Sequence, residues 1–565
     1  MRKILTILLL AVSLTSWAKQ WYVHPGGSDT DGDGSAAYPW LTYNHAADTI
    51  TGPAFYGDTI FLDAGTFIIS TQISHTVGIS VMGTGDATIL NFTYASTTDY
   101  CIKLYSATLT DGNQSISYLK ITGSDYTARR GILVWQRNNV SIHHVTFEKF
   151  DYEGANFIFP YSTGEPNPTS FCTGNSFTYN TLLNCAGYHD DNGYGALNIN
   201  GQDGMQVLFN EFTQNNTAGL NGPPIKAVDG VNKNLVISYN KTFQPLFGNG
   251  DHWDFALELW DCRGGCEISY NDLQGSIDLA GKINIRGSSA YSIWAHHNIV
   301  QQSSQALSEA TRGFIIEAHL NNEDIIIEKN YVRNTCVGIG IGQPNPLEST
   351  IYNNIKILTN IFESIGLADS KATSSKGWGI YWSDPADWQT CDSFQVIHNI
   401  LTAKVGTYST MWGIQIPAVV STNTLIQNNI TLNFDYASIF GYNNGDADIT
   451  CDVLSIENND SYGNGFSNVP RYGSGFTPTN NTTQNNITTD PLFISASDFH
   501  LQSTSPCINT ALDASAITGG TDFHGASIYG PGYDIGAFEF GINRLVRIRN
   551  TIIPTLNYKL LLVDH

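Results

Sequence analysis

The 565-residue chain predicts an all-β fold, a solenoid forming one elongated domain, on three observations. Asparagine recurs after short β-branched runs, at Asn180, Asn210, Asn240, Asn271, Asn298, Asn330, Asn360, Asn399, Asn429 and Asn459, in steps mostly close to thirty residues. Between them apolar and polar residues alternate and turn residues intervene, with no helical periodicity. The composition agrees: 53 glycines, 12% aromatic and only 14% charged residues suit strands and tight turns better than solvated helices.

The asparagine has a physical task. A buried turn leaves main-chain groups without partners, and stacked amides can satisfy them while bonding to one another along the stack. Two earlier runs, Ile116–Ile121 and Ile142–Phe147, repeat the unit with an apolar residue in place of the amide.

At the N-terminus, Arg2 and Lys3 precede an apolar run from Ile4 to Leu14, and Ser16-Trp17-Ala18 supplies small residues for cleavage. Residues 1–18 therefore read as a secretory signal, and the run is too short to span a bilayer. Residues 19–69 follow, with Trp21-Tyr-Val-His-Pro-Gly-Gly-Ser-Asp29, Tyr38-Pro-Trp40 and Gly57-Asp-Thr-Ile-Phe-Leu-Asp-Ala-Gly-Thr66. This segment resembles the opening of secreted right-handed parallel β-helix proteins of the pectate-lyase-like superfamily. The resemblance implies a right-handed parallel β-helix whose first coil this segment caps; it leaves lyase, hydrolase and non-catalytic roles open. Asp29, Asp31 and Asp33 are spaced like half of a calcium loop, but Trp40 stands where the last ligand belongs, which favours a polar turn.

Coils are expected over 70–489, interrupted by insertions at 151–169, 343–350, 367–377 and 384–390, which would wall a groove on one face. Residues 490–541 are similar to the closing segment of many secreted bacterial β-helix proteins, expected to cap the open end of the stack. The basic and apolar stretch 542–565 has no assignment. A net charge of −23 argues against nucleic acid or an anionic membrane as partner, and nothing is apolar enough for membrane insertion. The nine cysteines form no metal pattern; Cys262 and Cys266 flank a turn and could form a disulfide, while Cys101, Cys185, Cys336 and Cys451 read as small residues filling the stack.

One pattern is written twice: Asp254-Phe-Ala-Leu-Glu258-Leu-Trp260 and Gly313-Phe-Ile-Ile-Glu317-Ala-His319, each glutamate thirteen residues before an asparagine. Stacked coils make equivalent positions neighbours at about 4.8 Å. Alignment on the asparagines brings Asn198, Lys226, Glu258 and Glu317 to one outward row, with Asn284 or Arg286 filling the gap, and Trp260 and His319 two residues along. Glu258 and Glu317 then form a carboxylate pair, one protonated acid and one base, as glycoside hydrolysis requires; Asp254 and Asp261 are alternative partners. The same row admits a lyase, with Lys226, Lys282 or Arg286 abstracting a proton and Glu258 and Glu317 holding calcium. Trp253, Trp260, Trp378, Trp382 and Trp388 could stack on sugar rings. The plain alternative is a cross-strand ion-pair network. The reading is a secreted monomer acting on a polysaccharide, hydrolysis ahead of elimination because acidic residues dominate, with a glycan-binding or adhesin module as the non-catalytic alternative.

Overall fold

The computed structural model describes residues 18–160, 170–186, 194–214, 222–227, 231–244, 255–281, 290–301, 311–317, 321–342, 350–366, 377–382, 389–404, 411–442, 450–466, 470–473, 476–527 and 532–541. The strands join into one long sheet of parallel pairings in which each strand bonds to its counterpart in the next coil, the register of a parallel β-helix. One coil reads Phe255–Trp260, then Cys266–Ser269, then Asp272–Gln274, and the chain re-enters the first column at Ser276–Ala280. Alternate residues point inward, so Ile237, Ile268, Ala295 and Ile327 stack into a continuous core while their neighbours face out.

The expected asparagine stack is present. From Asn180 to Asn459 each Nδ2 donates to the Oδ1 of the next asparagine at 2.9–3.1 Å, and Asn486 extends the series. Each Oδ1 also accepts a backbone N–H of the preceding coil, so these buried turns leave their amides paired. Leu119 and Val145 are in register where the two earlier coils lack the amide, and Val145 N–H donates to Asn180 Oδ1.

The residue before each asparagine takes a left-handed conformation, with φ of 56° at Tyr179, 58° at Phe209, 59° at Tyr239 and 56° at Tyr270. Side chains at this position project as a column, and Tyr118, His144, Tyr179, Phe209, Tyr239, Tyr270 and His297 stack ring on ring at 4.7–5.2 Å. Such a conformation is unfavourable for any residue but glycine. Ring stacking and the amide ladder hold it here.

At the N-terminal end, Gln20–Val23 pairs with Thr59–Leu62, and Trp21 stacks on Trp40 at 5.4 Å. Asp29 accepts from the backbone N–H of Leu41 and Thr42 and from the Thr42 hydroxyl, at 2.8, 3.0 and 2.6 Å. Its carboxylate thus staples a turn, and Thr42 caps the helix Tyr43–Thr49.

Residues 490–541, expected to close the stack, have described contacts along the flank of the coils and with Ile487 of the last one. Phe499, Leu501, Ile535 and Phe538 pack on Ile361, Ile400 and Ile430 of three successive coils. The polar contacts follow the left-handed column: Lys329 donates to Thr521, Asn428 exchanges bonds with Leu512, and Asn458 donates to Thr510. All nine cysteines are buried free thiols, Cys262 and Cys266 included, so the disulfide considered for that pair is not formed. Among the described residues no helix is long and apolar enough to cross a membrane. The segment read as a secretory signal, except for Ala18, and the stretch 542–565 lie outside the described residues.

Candidate functional site

Register fixes which outward residues are neighbours. Asn156 pairs with Asn198, Asn198 with Lys226, Lys226 with Glu258, and Glu258 with Asp278. The expected row from Asn198 through Lys226 to Glu258 is therefore correct. The next place belongs to Asp278, not to Asn284 or Arg286. In that coil the chain enters the site strand directly after Gly275. Asp278 is followed in register by Ile315, so Glu317 stands one coil and two residues beyond it rather than in line with Glu258.

These four side chains are buried: Lys226 is 6% exposed, Glu258 4%, Asp278 0% and Glu317 2%. Charge at that depth has to be paired or neutralised. Lys226 Nζ lies 2.9 Å from Glu258 Oε2, which makes this pair a buried ion pair. Burial favours the protonated form of the other two carboxyls. Burial, with Glu317 and Glu258 close by, pushes Asp278 well above the usual carboxyl range, and Trp260 Nε1–H donates to its Oδ2 at 3.3 Å. Burial likewise raises Glu317 to about 8; a hydrogen bond from Asp278 and the nearby Lys226 and Arg312 charges pull it down, while Glu258 pushes it up. The two titrate together as one hydrogen-bonded unit.

Arg312 reaches this group across the next coil. A Cβ added at Gly340 would come 3.1 Å from Arg312 Cδ, so a glycine is what leaves the guanidinium stem its path. Beyond it on the same face, Trp378 stacks on Trp412 at 5.4 Å, Trp412 packs on Tyr436, and the Arg471 guanidinium lies 4.1 Å from the Tyr436 ring.

Two residues proposed from sequence leave the site. Asp261 is fully buried in a turn at φ 50°, bound to the Arg263 guanidinium at 2.8 Å, where it serves the turn. Trp382 shares the inward parity of Ile380 and packs in the core between Tyr352 and Phe394, so it offers no face to a sugar. Trp260 and Asn198 are placed as expected. Trp253, Asp254, Lys282, Asn284, Arg286, His319 and Trp388 lie outside the described residues.

Calcium does not fit what is described here. Glu258 is occupied by an ammonium, and among the described residues no three Asp, Glu, His or Cys side chains converge as a metal-binding group. Sequence reasoning missed Asp278 and Arg312. The signal for Asp278 was the alternation Ser276-Ile-Asp278-Leu-Ala280, a strand pattern that places the acid outward.

No family model matches the chain, and no curated protein matches it. Among solved structures, the tailspike protein of E. coli bacteriophage HK620 in complex with pentasaccharide is similar at 10% identity, covering 82% of this chain and 80% of that one, with a TM-score of 0.42. An alginate lyase from Paenibacillus sp. is 12% identical over 61% of this chain and 97% of that one, TM-score 0.37. A surface adhesin of Streptococcus pneumoniae is 11% identical over 75% and 85%, TM-score 0.33. The fold assignment rests on the sheet's own register: a right-handed coil was the expectation from sequence, and the parallel β-helix is what the strand pairings establish.

Proposed function

We propose that this chain is a secreted carbohydrate-active enzyme that hydrolyses glycosidic bonds at the group Glu258, Asp278 and Glu317. The observation that supports the reading is the division of labour among three buried carboxyls. One is ion-paired with Lys226, and burial favours the protonated form of the other two. Glycoside hydrolysis needs both forms side by side: an acid to protonate the departing oxygen and a carboxylate to activate water or attack the sugar. In this reading the hydrogen-bonded Asp278–Glu317 unit supplies the proton, and Glu258 is the base or nucleophile, its charge held by the Lys226 ammonium. Trp260 orients Asp278 through its indole N–H. Burial lets each charge act in a medium of low polarity.

Elimination is less well supported. A lyase base must be free to take a proton, and Lys226 is engaged by Glu258. The test is a panel of neutral and uronate-containing polysaccharides, with and without a calcium chelator, followed by reducing ends and ultraviolet absorbance. New reducing ends without absorbance, unaffected by the chelator, are expected. Absorbance from an unsaturated uronate would replace hydrolysis by elimination, and binding without turnover would leave an adhesin.

A further inference from the structure

The strand row that carries the carboxyls runs on past them. Asp278 is followed in register by Ile315, Gly340 and Tyr381, and the row continues through Gln415 and Phe440 to Arg471, six coil steps and about 29 Å from Asp278. Lys103 and Lys226 stand in the same row at its other end, and each has a carboxylate, Asp99 at 3.5 Å and Glu258 at 2.9 Å. Arg471 has none. Among the described residues no carboxylate is in ion-pair contact with its guanidinium and none of its N–H groups has an acceptor, although Nη1 is shut off from water.

Rings hold this side chain instead. The guanidinium carbon lies 4.1 Å from the centre of the Tyr436 ring and 3.7 Å from that of Phe466, and the two rings meet edge to face at 5.0 Å. Trp412 packs on Tyr436 at 3.9 Å and stacks on Trp378, so the cluster reaches back along the face toward Gly340. It opens to solvent: Phe466 is 40% exposed, and Arg471, Tyr436, Trp412 and Trp378 are half-buried.

A guanidinium stays charged at every working pH, and a donor withdrawn from water without an acceptor costs free energy. Attraction to the rings offsets part of that cost and leaves the N–H groups unused. An oxyanion matches the forked donors, and the rings beside them suit the C–H faces of a sugar. The acids further along the row do not exclude such a ligand. Glu258 is ion-paired with Lys226, and burial favours the protonated form of Asp278 and Glu317.

We propose that Arg471, Trp412, Tyr436 and Phe466 form a distal subsite for an acidic sugar unit, its carboxylate or sulfate bound by the guanidinium and its ring laid against the aromatic side chains. The substrate is then an anionic glycan lying along the row toward Asp278 and Glu317. That substrate assignment rests on the hydrolytic reading; the anion site does not. Six coil steps separate the two ends, so only a chain of several units reaches both, and affinity should rise with length.

The experiment uses the full chain carrying Asp278→Asn, titrated calorimetrically with size-graded oligogalacturonates, sulfated galacto-oligosaccharides, uncharged xylo- and gluco-oligosaccharides, and sodium sulfate. At least one acidic series should bind, more tightly with length and more weakly as salt rises. Adding Arg471→Met, which keeps the stem and drops the charge, should weaken that series at least tenfold and any uncharged one less than twofold. Arg471→Lys should restore part of the loss. Circular dichroism verifies the fold of each variant, and Arg471→Lys keeps a cation in place should the methionine disturb the rings. Binding of oligogalacturonates assigns a carboxylate and binding of the sulfated series a sulfate; either supports the subsite. No acidic oligosaccharide bound, an acidic affinity unchanged by Arg471→Met, equal losses for acidic and uncharged sugars, or sodium sulfate bound as tightly as the longest acidic oligosaccharide overturns it. Arg471-dependent binding with no hydrolysis by the unmodified chain overturns the hydrolytic reading and leaves the subsite standing. Hydrolysis of an uncharged glycan at a rate that Arg471→Met leaves unchanged does the reverse.

Discussion

Two rows run the length of this molecule and are built by the same repeat, yet they treat polar groups in opposite ways. In the asparagine row every amide donates to the next and accepts a backbone N–H, so a series of buried turns is satisfied at one stroke. In the carboxyl row three acids are packed into adjacent coils against one lysine and one arginine, and two of them are driven to keep protons. The first arrangement lowers the free energy of the fold. The second raises it, and a structure tolerates such a cost where chemistry needs it.

Substitutions can break this contrast. The largest expected effect is on turnover: Glu317→Gln or Asp278→Asn should lower kcat by roughly 10²–10⁴-fold, the usual reach of a general acid, while the melting temperature holds, because a neutral amide replaces a carboxyl whose charged form burial disfavours. Steady-state rates and calorimetry measure both. Asn330→Ala should do the reverse. It strips the partners of Asn298 N–H and Nδ2 and the bond to Asn360, costing about 1–3 kcal/mol in urea denaturation with rates per folded molecule unchanged.

The pH dependence sharpens the comparison. Glu317 titrates near 8 in the fold and near 4.5 when unfolded, so the folded chain holds an extra proton between these values. Its contribution to stability is complete below the unfolded value, shrinks as pH rises from there and is gone above about 8, whereas activity, which needs the proton in the folded state, should fall as pH rises past about 8. Glu317→Gln should flatten this alkaline slope in denaturation midpoints, whereas Asn330→Ala should only lower the curve. The smallest effect is expected at Tyr239, where Tyr239→Ala removes two ring contacts worth about 0.5–1.5 kcal/mol each at most. Tyr239→Gly should recover part of that loss, because glycine adopts a φ of 59° without strain; chemical denaturation of the pair reads the difference.

The sequence made the amide row legible because its residue type is invariant and its neighbours are β-branched, so the coil can be counted from it. The step from Lys226 to Glu258 was legible for the same reason. Counting back thirteen residues from Asn298 failed, since that coil places its extra length after the site strand and not before it. Asp278 accordingly stood outside the expected row. Glu317 satisfied the count and still came to rest two residues out of line. Asp261 and Trp382 were misjudged on facing alone: one sits in a left-handed turn, the other on the inward parity of its strand. The buried network in which Arg130 and Asn156 donate to Glu153, and Asn156 to Tyr100, joins three coils of which the first two lack the amide anchor, which hid its assembly from counting.

The lateral strap formed by residues 506–527 and 532–538 changes how the stack can come apart. A stack held only by nearest neighbours can peel from either terminus, one rung at a time. Here the rungs from Lys329 to Asn458 are tied across their backs by Thr510, Leu512, Thr521 and Ile535, so none of them can leave alone. Peeling from the C-terminal side must wait for the strap to detach as a whole, and the half that carries Tyr118 to Tyr270 is the one left to open rung by rung.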